Sequence, residues 1–357
     1  MGSVAPSSLP GQIASDDKVY LRPVEPATPH YRAIEVLLRG PSGPATSFRA
    51  VPAELRAWAA GPARRLAPRI HQLIETIAAS PAPILRLGWE RPRLMGVVNV
   101  TPDSFSDGGR HFDAAAAIAH GRALQVSGAD ILDIGGESTR PGAEPVSINE
   151  ELSRVVPVID GLRDLPAPIS IDTRHAAVMV AALAAGASII NDISALTADP
   201  ESLGVAAGSA APVVLMHCRG DPRTMQEAPS YEDALLDIFD YLEARVAACV
   251  AAGIARSRLI VDPGIGFGKT VDHNLEILRG LAVFQGLGCP IMIGVSRKSF
   301  IAKLDSGQAA DQRLPGSLAA GLWALSQGAR MLRVHDVDET MQAIRMWSAL
   351  QFPPAST

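Results

Sequence analysis

Cysteine is scarce in this chain: only Cys218, Cys249 and Cys289 occur among 357 residues. Their odd number and wide spacing exclude a disulfide framework and a zinc-ligand set, and they suit a reducing compartment. No apolar run approaches membrane-spanning length, although 47% of residues are hydrophobic and only 4% aromatic. A basic segment followed by an apolar stretch is also missing from the N-terminus. Nor is positive charge in excess. With 32 Lys and Arg against 37 Asp and Glu, the net charge is −5, which argues against a nucleic-acid footprint. The expectation is a cytoplasmic globular enzyme with neither nucleic acid nor membrane as partner.

What is present is a regular alternation that begins at Leu94. Short apolar runs read as strands at Leu94–Val100, Ile131–Ile134, Pro168–Asp172, Ser188–Asp192, Pro212–His217, Leu259–Asp262, Pro290–Gly294 and Met331–Val334. Helical periodicity lies between them, at Ala114–Ser127, Asn149–Arg163, His175–Ala185, Tyr231–Ala252, Asp272–Phe284, Asp311–Ser326 and Val337–Leu350. Pro200–Ala207 is a shorter, alanine-rich helical stretch. Continuous apolar strands alternating with helices imply a parallel sheet covered by helices. Eight such units match a (β/α)8 TIM barrel, here with an N-terminal extension. A doubly wound sheet is the alternative, but it gives no reason for eight functional strand ends. Glycines after helices, at Gly128, Gly186 and Gly328, suit left-handed helix ends before the next strand.

The expected division places an accessory, partly disordered extension at 1–90 and the barrel at 91–352. Within the extension only Ala33–Leu38 reads as a strand and Ala63–Ser80 as an amphipathic helix. No chemical motif is visible there.

The apolar runs end in groups capable of chemistry: Asn99, Asp133, Asp172, Asn191, His217, Asp262, Lys298, and Arg333 with His335. In a barrel these ends converge on one mouth. A single case is readily explained as a cap or a solvated charge. Eight together are not, because gathering polar groups costs solvation unless a polar ligand compensates. Asp262 and Asn191, with Lys298 donating, suit the edge of a flat heterocycle, since a carboxylate accepts two parallel hydrogen bonds. The run Gly264–Thr270, GIGFGKT, lacks the spacing of a phosphate-binding P-loop and reads as letting backbone and Phe267 approach a planar substrate. Arg333 and His335 alternate on one strand, project to one side, and suit an anion. Asn99 adjoins them once the barrel closes, and Arg140 in the loop GGESTRPG would approach from above. With no Ser-His-Asp arrangement evident, positioning and charge are left as the means of catalysis.

Seven ordered segments carry a resemblance: NVTPDSFSDGG from Asn99, DIGGESTRPG from Asp133, SIDT from Ser170, NDIS from Asn191, DPGIGFGKT from Asp262, SRKS from Ser296 and RVHDV from Arg333. Together they resemble the dihydropteroate synthase family from Leu94 to Leu350. The resemblance implies condensation of 6-hydroxymethyl-7,8-dihydropterin diphosphate with 4-aminobenzoate, releasing diphosphate. It gives Asp172, Asn191, Asp262 and Lys298 to the pterin, and Arg333 and His335 to the diphosphate, with Mg2+ held at Asn99. Thr139, Arg140 and Pro141 would close over the site. Phe267 and Pro141 would flank the aminobenzoate ring, with Ser299 opening a helix toward its carboxylate. Asp172, Lys298 and Arg140 would be the catalytic groups, and a homodimer is implied. None of these positions departs from the family pattern, so there is no sign of a sulfonamide-insensitive pocket. A pterin-dependent methyltransferase of related barrel type would need no anion pocket, and a non-catalytic pterin-binding paralogue would be expected to lose part of it.

Overall fold

The computed structural model describes residues 9–11, 13–25, 33–41, 44–100, 114–138, 146–220 and 224–351. Residues 18–78 form a unit with its own core. Strands β1 (Lys18–Pro23), β2 (Ile34–Arg39) and β3 (Thr46–Ala50) make an antiparallel sheet in that order. Helices α1 (Pro52–Ala60) and α2 (Ala67–Ala78) cover one face, so that Val19, Leu21, Val36, Leu55, Ile70 and Leu73 are buried together. This corrects the sequence reading, which saw one strand and one helix there. β1 escaped notice because Val19, Tyr20 and Leu21 are all buried, so its sequence lacks the alternation that marks a strand with one wet face.

The second part is the barrel. Strands β4 (Arg93–Asn99), β5 (Ile131–Gly135), β6 (Ile169–Asp172), β7 (Ile189–Asp192), β8 (Val213–Met216), β9 (Leu259–Asp262), β10 (Met292–Ile293) and β11 (Met331–Val334) all pair in parallel. Their order is β10-β11-β4-β5-β6-β7-β8-β9. A parallel bridge from Val261 to Ile291, with Val261 N donating to Pro290 O at 3.0 Å, closes the ring between β9 and β10. The seventh strand is only two residues long, against the five expected.

The surrounding helices are α3 (Ala114–Val126), α4 (Ile148–Leu162), α5 (Ala176–Ala185), α6 (Ser202–Gly208), α7 (Ala234–Ala251), α8 (Val271–Gly280), α9 (Ser299–Leu304), α10 (Leu314–Ser326) and α11 (Val337–Gln351). The helix expected over Asp272–Phe284 ends at Gly280 and continues as a 3-10 segment, Leu281–Leu287. Gly128, Gly186 and Gly328 have φ of 107°, 126° and 94°, the left-handed helix ends their positions implied.

Strand alternation builds the site. Met95, Ile131, Ile189, Val214, Ile260, Met292 and Met331 point inward and form one apolar layer. The next residue along each strand faces the helices, as Leu132, Ile190, Val261 and Leu332 do. Two residues further along each strand the side chain points inward again, and there Asp133, Asn191, Asp262 and Arg333 stand. The lower layer is sealed from outside by Ile84, with Leu87 and Trp89 packed against it. A division at residue 90 therefore cuts through the floor of the barrel.

Candidate active site

The mouth of the barrel holds a cavity lined by Asp172, Asn191, Asp262, Phe267, Lys298, Arg333 and His335 among others. Seven expected residues, from the ends of four strands and the loops after β9 and β10, thus meet in one place. Ile193, Met216 and Met292 supply apolar walls between the polar groups, as a flat ring requires. Asn99 ends β4 opposite Gly135 and is half-buried, but it is not among the residues that line this cavity. Ser299 begins α9 as expected, yet it is exposed and lies outside the lining, and the helix is only six residues long. Thr139, Arg140 and Pro141 lie outside the described residues.

Arg333 organises the floor. Its Nε donates to Asp133 Oδ2 and its Nη2 to Asp172 Oδ2, both at 2.7 Å. Asn191 Nδ2 donates to the same Asp133 oxygen at 3.1 Å. A carboxylate can only accept, so this contact fixes which end of the Asn191 amide faces inward. Asp133 is fully buried, and its Oδ1 has no hydrogen-bond partner among the described residues. Asp133 was legible as a strand end but not as the residue that joins two others. The expectation for Arg333 shifts accordingly: its guanidinium is already engaged by two carboxylates, not held ready for an anion alone.

Opposite lie Asp262 and Lys298, the set expected to meet a ring edge. Asp262 Oδ1 accepts from Gly264 N at 2.7 Å, which fixes the carboxylate plane at the start of the glycine-rich loop. Lys298 Nζ donates to Ile265 O and stands 4.5 Å from the Phe267 ring centroid. The glycines of this loop serve a packing need as well. Gly264 has φ 69°, and a Cβ there would lie 1.9 Å from His217 O. His335 is placed by Ser296, whose Oγ lies 3.1 Å from Nδ1 and accepts from the His335 backbone N at 3.2 Å.

Burial sets the protonation of these groups. Asp172 is pushed up to about 7 by burial, reinforced by Asp133 and opposed by Arg333. Burial likewise raises Asp262, against the pull of Lys298. Lys298 is pushed down to about 8 by burial, with Asp262 resisting. For Arg333 burial also disfavours the charge, but Asp133 and Asp172 outweigh it and the guanidinium stays charged. Beneath the loop, burial pushes Lys269 down to about 7 and His217 down to about 2, the latter helped by the Lys269 charge. Sequence reading named His217 as a strand end and missed its pairing with Lys269.

This is an enzyme site of the (β/α)8 class: carboxylates, an amide and a lysine line one cavity together with an arginine and a histidine. The chain belongs to the pterin binding enzyme family, whose model matches residues 95–335. It is similar to dihydropteroate synthase of Escherichia coli strain K12, 46% identical over 264 residues, which span 74% of this chain and 93% of that protein. The corresponding protein of Neisseria meningitidis serogroup B is 47% identical over 269 residues, 74% of this chain and 94% of its own. Xanthomonas albilineans dihydropteroate synthase with 4-aminobenzoic acid superposes with a TM-score of 0.71 at 48% identity, covering 75% of this chain and 96% of that one. The same enzyme in complex with 7,8-dihydropteroate gives a TM-score of 0.68 at 45% identity, with 75% and 97% covered. Yersinia pestis dihydropteroate synthase with a sulfonamide drug complex gives 0.72 at 43% identity, with 76% and 99% covered. No helix among the described residues is long and apolar enough to cross a membrane.

Proposed function

We propose that the chain condenses 6-hydroxymethyl-7,8-dihydropterin diphosphate with 4-aminobenzoate to give 7,8-dihydropteroate and diphosphate. The observation that carries this reading is the convergence of Asp172, Asn191, Asp262, Lys298, Arg333 and His335 on one cavity. Asp262 and Asn191 accept and donate along the amino-amidine edge of the pterin, and Lys298 donates to its carbonyl or ring nitrogen. His335 and Arg333 face the diphosphate end. As the C–O bond to diphosphate breaks, positive charge spreads into the electron-rich ring, and Asp172 offsets it. The aryl amine then attacks the methylene carbon and loses its proton, while Phe267 gives its ring an apolar wall. Thr139, Arg140 and Pro141 would close the site and keep water from the cation.

The described cavity sets Asp172, Asp262 and the underlying Asp133 against Arg333 and Lys298, so a polyanion needs more positive charge than these residues supply. Among the described residues no cluster of three His, Cys, Asp or Glu could hold a metal. Asn99 offers a hard amide oxygen on the strand adjoining Arg333, which fits Mg2+, an ion that takes few protein ligands and keeps substrate oxygens and waters. When bound there, Mg2+ would neutralise charge on the departing diphosphate.

Two further readings concern the surroundings. A groove between α8, α9 and α10 carries exposed Leu304 and Trp323 beside Arg279, Arg313 and Asp305. Both charge signs on one apolar patch suit an isologous contact with a second copy, so we read the protein as a homodimer. The three free thiols, two of them buried, support a reducing cytoplasmic setting. The extension reads as an accessory brace, since it packs on α7 and the Leu281–Leu287 segment that leads into the short β10.

The deciding experiment supplies pterin diphosphate, 4-aminobenzoate and Mg2+ and follows diphosphate release. Turnover that a sulfonamide inhibits in competition with 4-aminobenzoate supports the reading. Diphosphate release that ignores the aryl amine refutes it.

A further inference from the structure

Lys269 has no part in the chemistry above, yet at 3% exposure it is the least exposed cation among the described residues. It forms no ion pair among those residues. Its ammonium donates instead to Phe267 O at 2.9 Å, meets His217 Nδ1 at 3.0 Å and lies 3.4 Å from His217 O. A buried ammonium needs an acceptor for each of its three N–H groups, and two carbonyls and one unprotonated imidazole nitrogen provide them. His217 is itself held edge-on against Tyr241, with ring centroids 4.9 Å apart.

The other end of this arrangement is Phe267, which lines the mouth cavity. Its neighbours Gly266 and Gly268 have φ of 84° and 61°. Glycine on both sides leaves a backbone that many conformations fit, so sequence-local forces do not hold the ring. Lys269 ties the Phe267 carbonyl to the end of β8, and so joins two strand-end loops.

We propose that Lys269, acting through the Phe267 carbonyl and His217, is a positioning residue that fixes the Phe267 ring as the wall of the aryl-amine subsite. The inference rests on the proposed condensation and names the residue that sets the second substrate's place. A lysine suits this task because one small cation reaches three acceptors that no neutral donor of its length could satisfy together.

The test uses the full chain and the variant Lys269→Met, which keeps the apolar stem and removes the donors. KM for 4-aminobenzoate is expected to rise about tenfold, with KM for the pterin diphosphate held within about twofold. Phe267→Ala is expected to give the same selective rise, and the double variant no more than either single one. Equal rises for both substrates, a lowered Tm with both KM values unchanged, or losses that multiply in the double variant would each overturn the proposal. If Lys269→Met does not fold, Lys269→Gln is measured in the same way with the same outcomes. Absence of turnover in the unaltered chain would instead refute the condensation reading itself.

Discussion

Arg333 on β11 and Asp133 on β5 are joined at 2.7 Å across the barrel mouth, although β4 separates their strands in the sheet. Adjacent strands are held by backbone ladders, whereas this link passes through the interior and continues to Asp172 on β6. It ties the last strand of the barrel to its second and third.

That fork sets the first prediction. Arg333→Lys keeps a positive charge but cannot donate to both carboxylates in one plane. Turnover is expected to fall by about 10²-fold or more, because two charge-assisted bonds that shape the site are lost. The measurement is kcat at saturating substrates. A variant within threefold of the parent, on the order of ordinary surface changes, would remove the fork from catalysis.

A second prediction concerns pH. Asp172, raised to about 7, is neutral below that value and cannot offset charge on the ring. Lys298, lowered to about 8, loses its proton above that value and can no longer donate to the substrate as a cation. Turnover should therefore follow a narrow bell, rising as pH passes 7 and falling as it passes 8. In Asp172→Asn the acid limb is expected to flatten while the alkaline limb stays. A bell unchanged in Asp172→Asn would reassign the acid limb.

The third prediction addresses the loop. Gly264→Ala would place a Cβ 1.9 Å from His217 O at a φ of 69°, with backbone and not a flexible side chain in the way. A loss of about 1–3 kcal/mol in unfolding free energy is expected, together with weaker pterin binding. Denaturant titration and calorimetry would measure the two effects.

The brace gives the fourth. Asp240 on α7 accepts from Tyr20 OH at 2.9 Å, Lys18 Nζ at 2.8 Å and Arg39 Nη2 at 3.2 Å. Asp240→Ala strands the hydroxyl of the buried Tyr20 and should cost about 1–3 kcal/mol of stability. Hydrogen exchange is expected to rise first in 281–293, where the extension presses on the segment entering β10. A rise confined to residues 18–78 would argue against bracing.

Strand alternation made most of the site readable from sequence. Met331, Arg333 and His335 alternate with Leu332 and Val334, and the same two-residue step places Asp133 above Ile131 and Asn191 above Ile189. Pairwise contacts across the mouth were not readable, because Arg333 and Asp133 are brought together only by closure of the ring. Asn99 ends its strand beside the mouth yet outside the cavity lining, since a strand end need not line the cavity it borders. The extension was largely hidden for a different reason. β1 is covered on both faces, by α2 and by the barrel, so its residues carry no period-two signal.

Ile84 stoppers the barrel from below and lies ahead of every strand it touches. A shortened protein starting at Arg91 would begin life with a drain at the bottom of its own interior, open to water beneath Met95 and Met331. One starting at Ser80 would bring its plug along, so the two truncations, only eleven residues apart, should differ in kind.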